Sequence, residues 1–283
     1  MRIKSSLLMK KYCIYSFLFV LLSCSETIVV ENSPATDLQG PPISGYFKKR
    51  VLIEDYTGTW CGNCARVAYA IEQVQAQTDD AVVVAIHNGN DPYDYADIQP
   101  LKDLVSPNDP LALPISRLNR TTVWKFPEVT NIAQAINLTS ANCGIGIALD
   151  AAVSNGNINL DVKLNFAQQY TGLKLVVLVL ENDLIHDQTN YSSYFGSSNS
   201  PTYHNYVHKH VLRSSLTPLL GSPITENILV SQQLLKTFSV PVPASISNAA
   251  NLSFVAIVTD QNNNALNSRA VNANETQTME QNP

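Results

Sequence analysis

The tightest constraint in this chain is a pair of cysteines separated by two residues, Cys61-Gly62-Asn63-Cys64, set between two segments of different periodicity. Residues 49–56 (KRVLIEDY) are rich in β-formers and read as a short buried strand, and Thr57-Gly58-Thr59 makes the turn after it. From 61 to 77 the apolar residues fall at Val67, Ala68, Ala70, Ile71 and Val74, the spacing of one helix face. Residues 81–87 (AVVVAIH) read as a second buried strand. Strand, helix, strand in so short a stretch predicts a βαβ unit with parallel strands. The cysteine pair then sits where a strand ends and a helix opens. Backbone N–H groups and the helix dipole favour negative charge there. The pKa of Cys61 would fall, its thiolate would attack a disulfide, and Cys64, one turn along, would resolve the mixed disulfide.

Further along, residues 88–110 form an insertion rich in Asn, Asp and Pro, with a short helix expected around 95–105. Leu113-Pro114 precedes an expected strand over 115–123, and 128–138 fits an amphipathic helix. After about residue 143 the texture changes. Apolar and polar residues alternate over 145–153 and 158–166, flanking Asn155-Gly156-Asn157, a strong hairpin signal. Further strands are expected at 173–180, 229–240, 252–258 and 268–273. Residues 181–224, rich in Ser, Tyr, Asn and His, read as a large loop or insertion. Many strands with turn signals and little helix point to a β-sandwich.

The N-terminus carries its own message. Arg2, Lys4, Lys10 and Lys11 form a basic region, residues 12–22 are apolar, and Leu21-Leu22-Ser23-Cys24 follows. The apolar run is about half the ~20 residues that span a bilayer, so it reads as a signal peptide rather than an anchor. The site resembles a lipobox, which implies cleavage before Cys24 and diacylation of its sulfur. Residues 25–45, broken by Pro and Gly, would be a tether. Only 14% of residues are charged, the formal net charge is −5, and no Lys/Arg block follows residue 50, which excludes a nucleic-acid partner. With Cys13 removed and Cys24 acylated, Cys61, Cys64 and Cys143 remain. An extracytoplasmic compartment permits a Cys61–Cys64 disulfide, so this pair can cycle. Cys143 reads as a small buried apolar residue at a domain junction.

Several further residues extend the dithiol into a resemblance. Trp60 precedes Cys61, Asp55 lies six residues before it within an apolar strand, and Pro114 precedes a later strand. In these features the chain resembles the thioredoxin superfamily. The resemblance implies that Asp55 is a buried acid assisting proton transfer, that Trp60 flanks the site, and that Pro114 follows a cis bond and helps hold a substrate chain. Glu54 would point to the opposite strand face. The Gly-Asn between the cysteines departs from the Gly-Pro of thioredoxin itself, leaving reductase and oxidase both open. A narrower match rests on the lipobox, Glu54-Asp55-Tyr56-Thr57-Gly58, Leu118-Asn119-Arg120, and 206–213 (YVHKHVLR). Together they are similar to the twenty-eight-kilodalton outer-membrane lipoprotein family of Bacteroidetes, which implies an outer-membrane location, periplasmic or surface-facing, and a surface or adhesin role.

The expected fold is therefore α+β, a thioredoxin-like α/β domain followed by an immunoglobulin-like β-sandwich. The expected divisions are a signal peptide (1–23), a tether (24–45), the first domain (46–141), the second (142–276) and a tail (277–283). The expected function is lipid-anchored thiol–disulfide exchange on exported protein thiols or disulfides, with Cys61, Cys64 and Asp55 catalytic and no cofactor. The alternative is a non-enzymatic surface lipoprotein that binds a cell-surface partner and uses the thioredoxin fold as scaffold. No metal is expected. A structural zinc site needs four ligands and no second Cys pair follows. His204, His208 and His210 are more simply loop-packing histidines than ligands.

Overall fold

The computed structural model describes residues 29–31, 45–108, 110–139, 142–195 and 201–282. The signal segment and Cys24 lie outside the described residues. Among those described, no helix is long and apolar enough to cross a membrane. The chain is mixed α/β and made mostly of strands. In order come β1 (Val29–Glu31), β2 (Val51–Thr57), α1 (Ala65–Gln75), β3 (Ala81–His87), α2 (Gln99–Val105), β4 (Ile115–Leu118), β5 (Thr122–Val123) and α3 (Ile132–Ile136). They are followed by β6 (Ile145–Ser154), β7 (Asn157–Phe166), β8 (Lys174–Glu181), β9 (Leu184–Thr189), β10 (Thr202–His208) and β11 (Val211–Ser215). The last four are β12 (Ser222–Pro223), β13 (Gln233–Pro241), β14 (Leu252–Thr259) and β15 (Ala265–Asn272).

One large sheet runs β15-β14-β8-β11-β3-β2-β4-β5, with β12 beside β8. β2, β3 and β11 are parallel neighbours, and the remaining pairs are antiparallel. Strands from residues 46–141 and from 142–276 thus share a single sheet, joined where Val211 pairs with both Ala85 and Glu181. A second sheet, β1-β13-β7-β6, packs face to face on the β8–β14 end. Its β6–β7 hairpin turns at Asn155 and Gly156, both with positive φ, as the Asn-Gly signal requires. The 277–282 segment is held by backbone bonds from Gln277 to Leu149 and from Asn282 to Tyr46, while Glu280 pairs with Arg50 and Arg269.

The burial pattern explains the unbroken apolar runs. In β8, Leu175, Val177 and Val179 enter the core between the two sheets, while Val176, Leu178 and Leu180 enter a second core on the other face. A strand covered on both sides has no polar face to alternate with. β2 is buried throughout. Its Val51 and Ile53 pack under α1 and α3 with Trp124, and its Leu52 and Tyr56 pack on the opposite face with Leu101 and Val105 of α2. Consecutive residues on a strand point to opposite faces, so Asp55 lies on the α1 side and Glu54 on the α2 side.

Three sequence expectations are corrected. Residues 181–224 are not a loop: β9 and β10 pair as an antiparallel arm, and β11 enters the large sheet. The arm is largely exposed on both faces, so it lacks the alternation that marks a half-buried strand. The strand expected over 115–123 breaks at Asn119 and Arg120, which both take positive φ. The helix expected over 128–138 is a 3-10 turn, Glu128–Thr130, followed by the short α3.

Candidate functional site: the dithiol turn and the cavity behind it

Thr57 ends β2, and the chain makes two tight turns before α1. Cys61 N–H donates to Gly58 O at 3.0 Å and Cys64 N–H to Cys61 O at 3.1 Å. The helix starts one residue later than Cys64, which is its N-cap. Cys61 therefore lies in the turn ahead of the helix rather than inside it, a shift from the expected start. Cys61 and Cys64 are joined by a disulfide with Cα atoms 5.4 Å apart. Trp60 is 47% exposed and donates its indole N–H to Asn88 O at 2.9 Å. A Cβ on Gly58 would stand 2.8 Å from Trp60 Nε1, so the missing side chain there makes room for the indole.

The two sulfurs are covered. Cys61 is 4% and Cys64 is 2% exposed. The cover comes from the end of β9 and the residues after it, in the stretch read as a loop. Gln188 Nε2 donates to Gly58 O, Cys61 O and Thr189 O at 2.9–3.2 Å. Thr189 N–H donates to Thr59 O at 2.8 Å and Tyr191 N–H to Gly62 O at 2.9 Å. The Tyr191 ring lies so close to Gly62 that a Cβ there would fall 2.3 Å from it. Tyr194 stacks on Tyr69 of α1 with centroids 4.7 Å apart. Replacing Gln188 with Ala should loosen this cover. The disulfide of the variant is expected to be reduced by dithiothreitol at least fivefold faster, about the effect of one net hydrogen bond of ~1 kcal/mol. An unchanged rate would show that the arm does not limit access.

Behind Cys64 lies a cavity of about 90 Å³ between α1, β2, β3 and β10. Asp55, Cys64, Glu72, His87, Tyr206 and His208 are among its lining residues. Asp55 is buried and its Oδ1 has no hydrogen-bond partner. Burial, reinforced by the nearby Glu128 carboxylate and only partly offset by Arg66, pushes its carboxyl up to about 8. Glu128 is itself held by Arg66 Nε at 2.7 Å and the Ser116 hydroxyl at 3.2 Å. Pro114 follows a cis bond and directly precedes β4, whose Ile115 pairs with Tyr56, so it stands beside Thr57 at the mouth of the dithiol turn.

On the far side, His87 Nδ1 meets Asp91 Oδ2 at 3.1 Å. Burial alone would raise Asp91, but the His87 contact and the N–H groups of Thr59 and Tyr93 bring it down to about 2. His208 is buried against the His87 and Tyr206 rings, and burial, with His87 adding to it, lowers it to about 4. Glu54, on the opposite strand face as expected, is buried as well. Its Oε1 receives Arg120 Nε and Nη2 at 3.1 and 3.0 Å on the other sheet face.

Asp55, Cys61, Cys64, Trp60 and Pro114 are thus brought to one end of β2. The three arm histidines do not form one cluster. His208 and His210 both line the cavity, His210 with its Nε2 3.3 Å from Gln75 Nε2, while His204 is exposed beside Asp187. Among the described residues no three His, Cys, Asp or Glu side chains are grouped to hold a metal. Sequence reasoning missed Gln188, Tyr191 and Tyr206, and the available signal was the β-former content of 202–208 (TYHNYVH).

Comparison with known proteins bears on this geometry. No curated protein matches the chain. Among solved structures, HBP35 of Porphyromonas gingivalis superposes with a TM-score of 0.62 at 16% identity, over 82% of this chain and 77% of that one. The similarity is one of fold. A domain of the outer membrane lipoprotein Omp28 from Porphyromonas gingivalis matches at 20% identity over 47% of this chain and 89% of that one, with a TM-score of 0.30. The family model described as outer membrane protein Omp28 matches residues 109–277, more than half of the chain. The chain belongs to the Omp28 outer membrane protein family, and its place is the outer membrane of the cell envelope.

Proposed function

We propose that this protein is a lipid-anchored thiol–disulfide exchange protein, acylated at Cys24, with a thioredoxin-like unit at residues 46–141 and an immunoglobulin-like sandwich built from the rest. The observation that carries the reading is that Cys64, at the N-cap of α1, and Asp55, buried on the strand behind it, line one cavity. A buried carboxyl kept next to a disulfide is costly to the fold and useful to a thiol that must shed a proton. The strand order β3-β2-β4-β5, with α1 after β2 and Pro114 ahead of β4, supports the thioredoxin-like part. Cys61 attacks a disulfide of an exported protein, Cys64 resolves the mixed disulfide, Asp55 takes the proton, and Trp60 and Pro114 flank the incoming chain.

The test is a trap. Cys64→Ser in cells should accumulate mixed disulfides between Cys61 and exported proteins, and the double variant lacking Cys61 should accumulate none. No trapped species, together with no disulfide exchange by the purified wild-type protein, would overturn the reading. The near-complete burial of both cysteines favours a second reading, a surface lipoprotein that binds a partner and keeps the disulfide as structure. It takes over if Gln188→Ala opens the pair to dithiothreitol yet still exchanges with no protein. Because both halves share one sheet, either test uses the whole chain.

A further inference from the structure

The cavity behind Cys64 holds two buried polar atoms without partners, on different elements. One is Asp55 Oδ1 on β2 and the other is Nε2 of His208 on β10. His208 Nε2 has no partner, and with the ring proton on the other nitrogen, the one turned to the His186 backbone, a neutral His208 presents Nε2 as an acceptor. Buried polar groups left unpaired are rare and costly. A buried water needs about 10–15 Å³ and two or more polar partners. The cavity offers about 90 Å³ and is walled on one side by Cys64 of the disulfide.

We propose that this cavity holds ordered water bridging Asp55 Oδ1 and His208 Nε2, and that His208, supplied by the arm, is a positioning residue for the proton exchanged between Cys64 and Asp55. With Asp55 protonated, its O–H donates to the water and the water donates to Nε2. With Asp55 ionised, the same water donates to both. The lone pair of His208 therefore holds the water in place in either state.

The chemistry rests on the exchange reading above. On closing, the Cys64 S–H gives its proton through the water to the Asp55 carboxylate. The Cys64 thiolate attacks Cys61 Sγ, the Cys61–Cys64 bond forms, and the Cys61–substrate S–S bond breaks. The substrate sulfur leaves with the electron pair as a thiolate, so the dithiol is oxidised and the substrate reduced. Opening runs the same steps backwards. Other charged groups face these two residues. Asp55 faces Glu128, Arg66 and Tyr206. His208 faces His87 on β3, Asp91 in the loop after it, and His186 on β9.

The test compares wild type, His208→Gln and His208→Met as full-length oxidised protein. Gln keeps an acceptor near the position of Nε2, and Met keeps bulk without one. The Asp55 carboxyl is followed through pH by carbon NMR or its infrared C=O band, each assigned with Asp55→Asn. The midpoint should rise by a pH unit or more, a tenfold change in ionisation, in His208→Met and return to the wild-type value in His208→Gln. Cavity water should appear in the wild type by water–protein NMR contacts or a high-resolution crystal structure. A dry cavity in the wild type, or equal midpoints in folded His208→Met and wild type, would overturn the inference. The carboxyl readout does not need exchange activity. If His208 moves Asp55 in a protein that exchanges no disulfides, the exchange reading fails and the water bridge stands. If exchange is active and its pH profile ignores His208, the inference alone fails.

Discussion

Replacing Arg120 with Met is expected to lower folding stability by about 3–5 kcal/mol, the usual cost of orphaning one member of a buried ion pair. Arg120 is fully buried and directs Nε and Nη2 at Glu54 Oε1, while Nη1 reaches Leu219 O at 3.0 Å. Removing it leaves the Glu54 carboxylate inside the sheet with the Tyr56 hydroxyl at 3.4 Å as its remaining hydrogen-bond partner, and with Arg117, opposite it on β4, as the nearest remaining cation. Chemical denaturation of the oxidised protein at neutral pH measures the cost. One further result identifies its cause. The pair Glu54→Leu with Arg120→Met should recover most of the loss, since apolar replacement of both partners removes the uncompensated charge. A deficit below ~1 kcal/mol would mean that Glu54 reaches water and that the pair acts like a surface salt bridge.

This pair also shows what the sequence conceals. Glu54-Asp55 is legible as two acids on opposite faces of one strand, and the apolar residues around them show that the strand is buried. What puts Arg120 under Glu54 is the reversal of the chain at Asn119 and Arg120, both in the left-handed region. Asn there is an ordinary turn residue, but Arg carries no turn signal, so the segment reads as one continuous strand. The dithiol end of the site was legible for the opposite reason. Cys61, Cys64 and Asp55 are placed by local rules, a strand followed by a turn and a helix. Gln188, Tyr191 and His208 reach the same place from more than a hundred residues away. They do so on an arm whose exposed faces carry no periodic pattern, and their roles exist only after β11 has docked beside β3.

Asp55→Asn is expected to make the folded protein more stable and a poorer exchanger at once. The folded-state pKa of Asp55 is about 8, well above its ordinary 3.8. Between those values the folded state keeps a proton that the unfolded chain has lost. Stability is therefore full below about pH 4 and drains away as pH rises toward 8, by up to ~1.4 kcal/mol per pH unit. Asn is neutral throughout, so the variant should not follow this decline and should lead the wild type by several kcal/mol at pH 8. Denaturant unfolding at pH 5, 6, 7 and 8 on the oxidised proteins reads the effect. Curves that stay parallel would mean that Asp55 is solvated when ionised. The two signs together matter more than either alone. A merely structural carboxyl, once removed, changes stability and leaves exchange untouched. A carboxyl kept at a cost to the fold because a thiol needs a proton acceptor gives the opposite pairing, with stability gained and the closing step at Cys64 slowed. The nearby Glu128 sharpens the case, since it raises Asp55 further although Arg66 already neutralises it in part. Purely structural packing would have had little reason to keep two acids so close where both are buried.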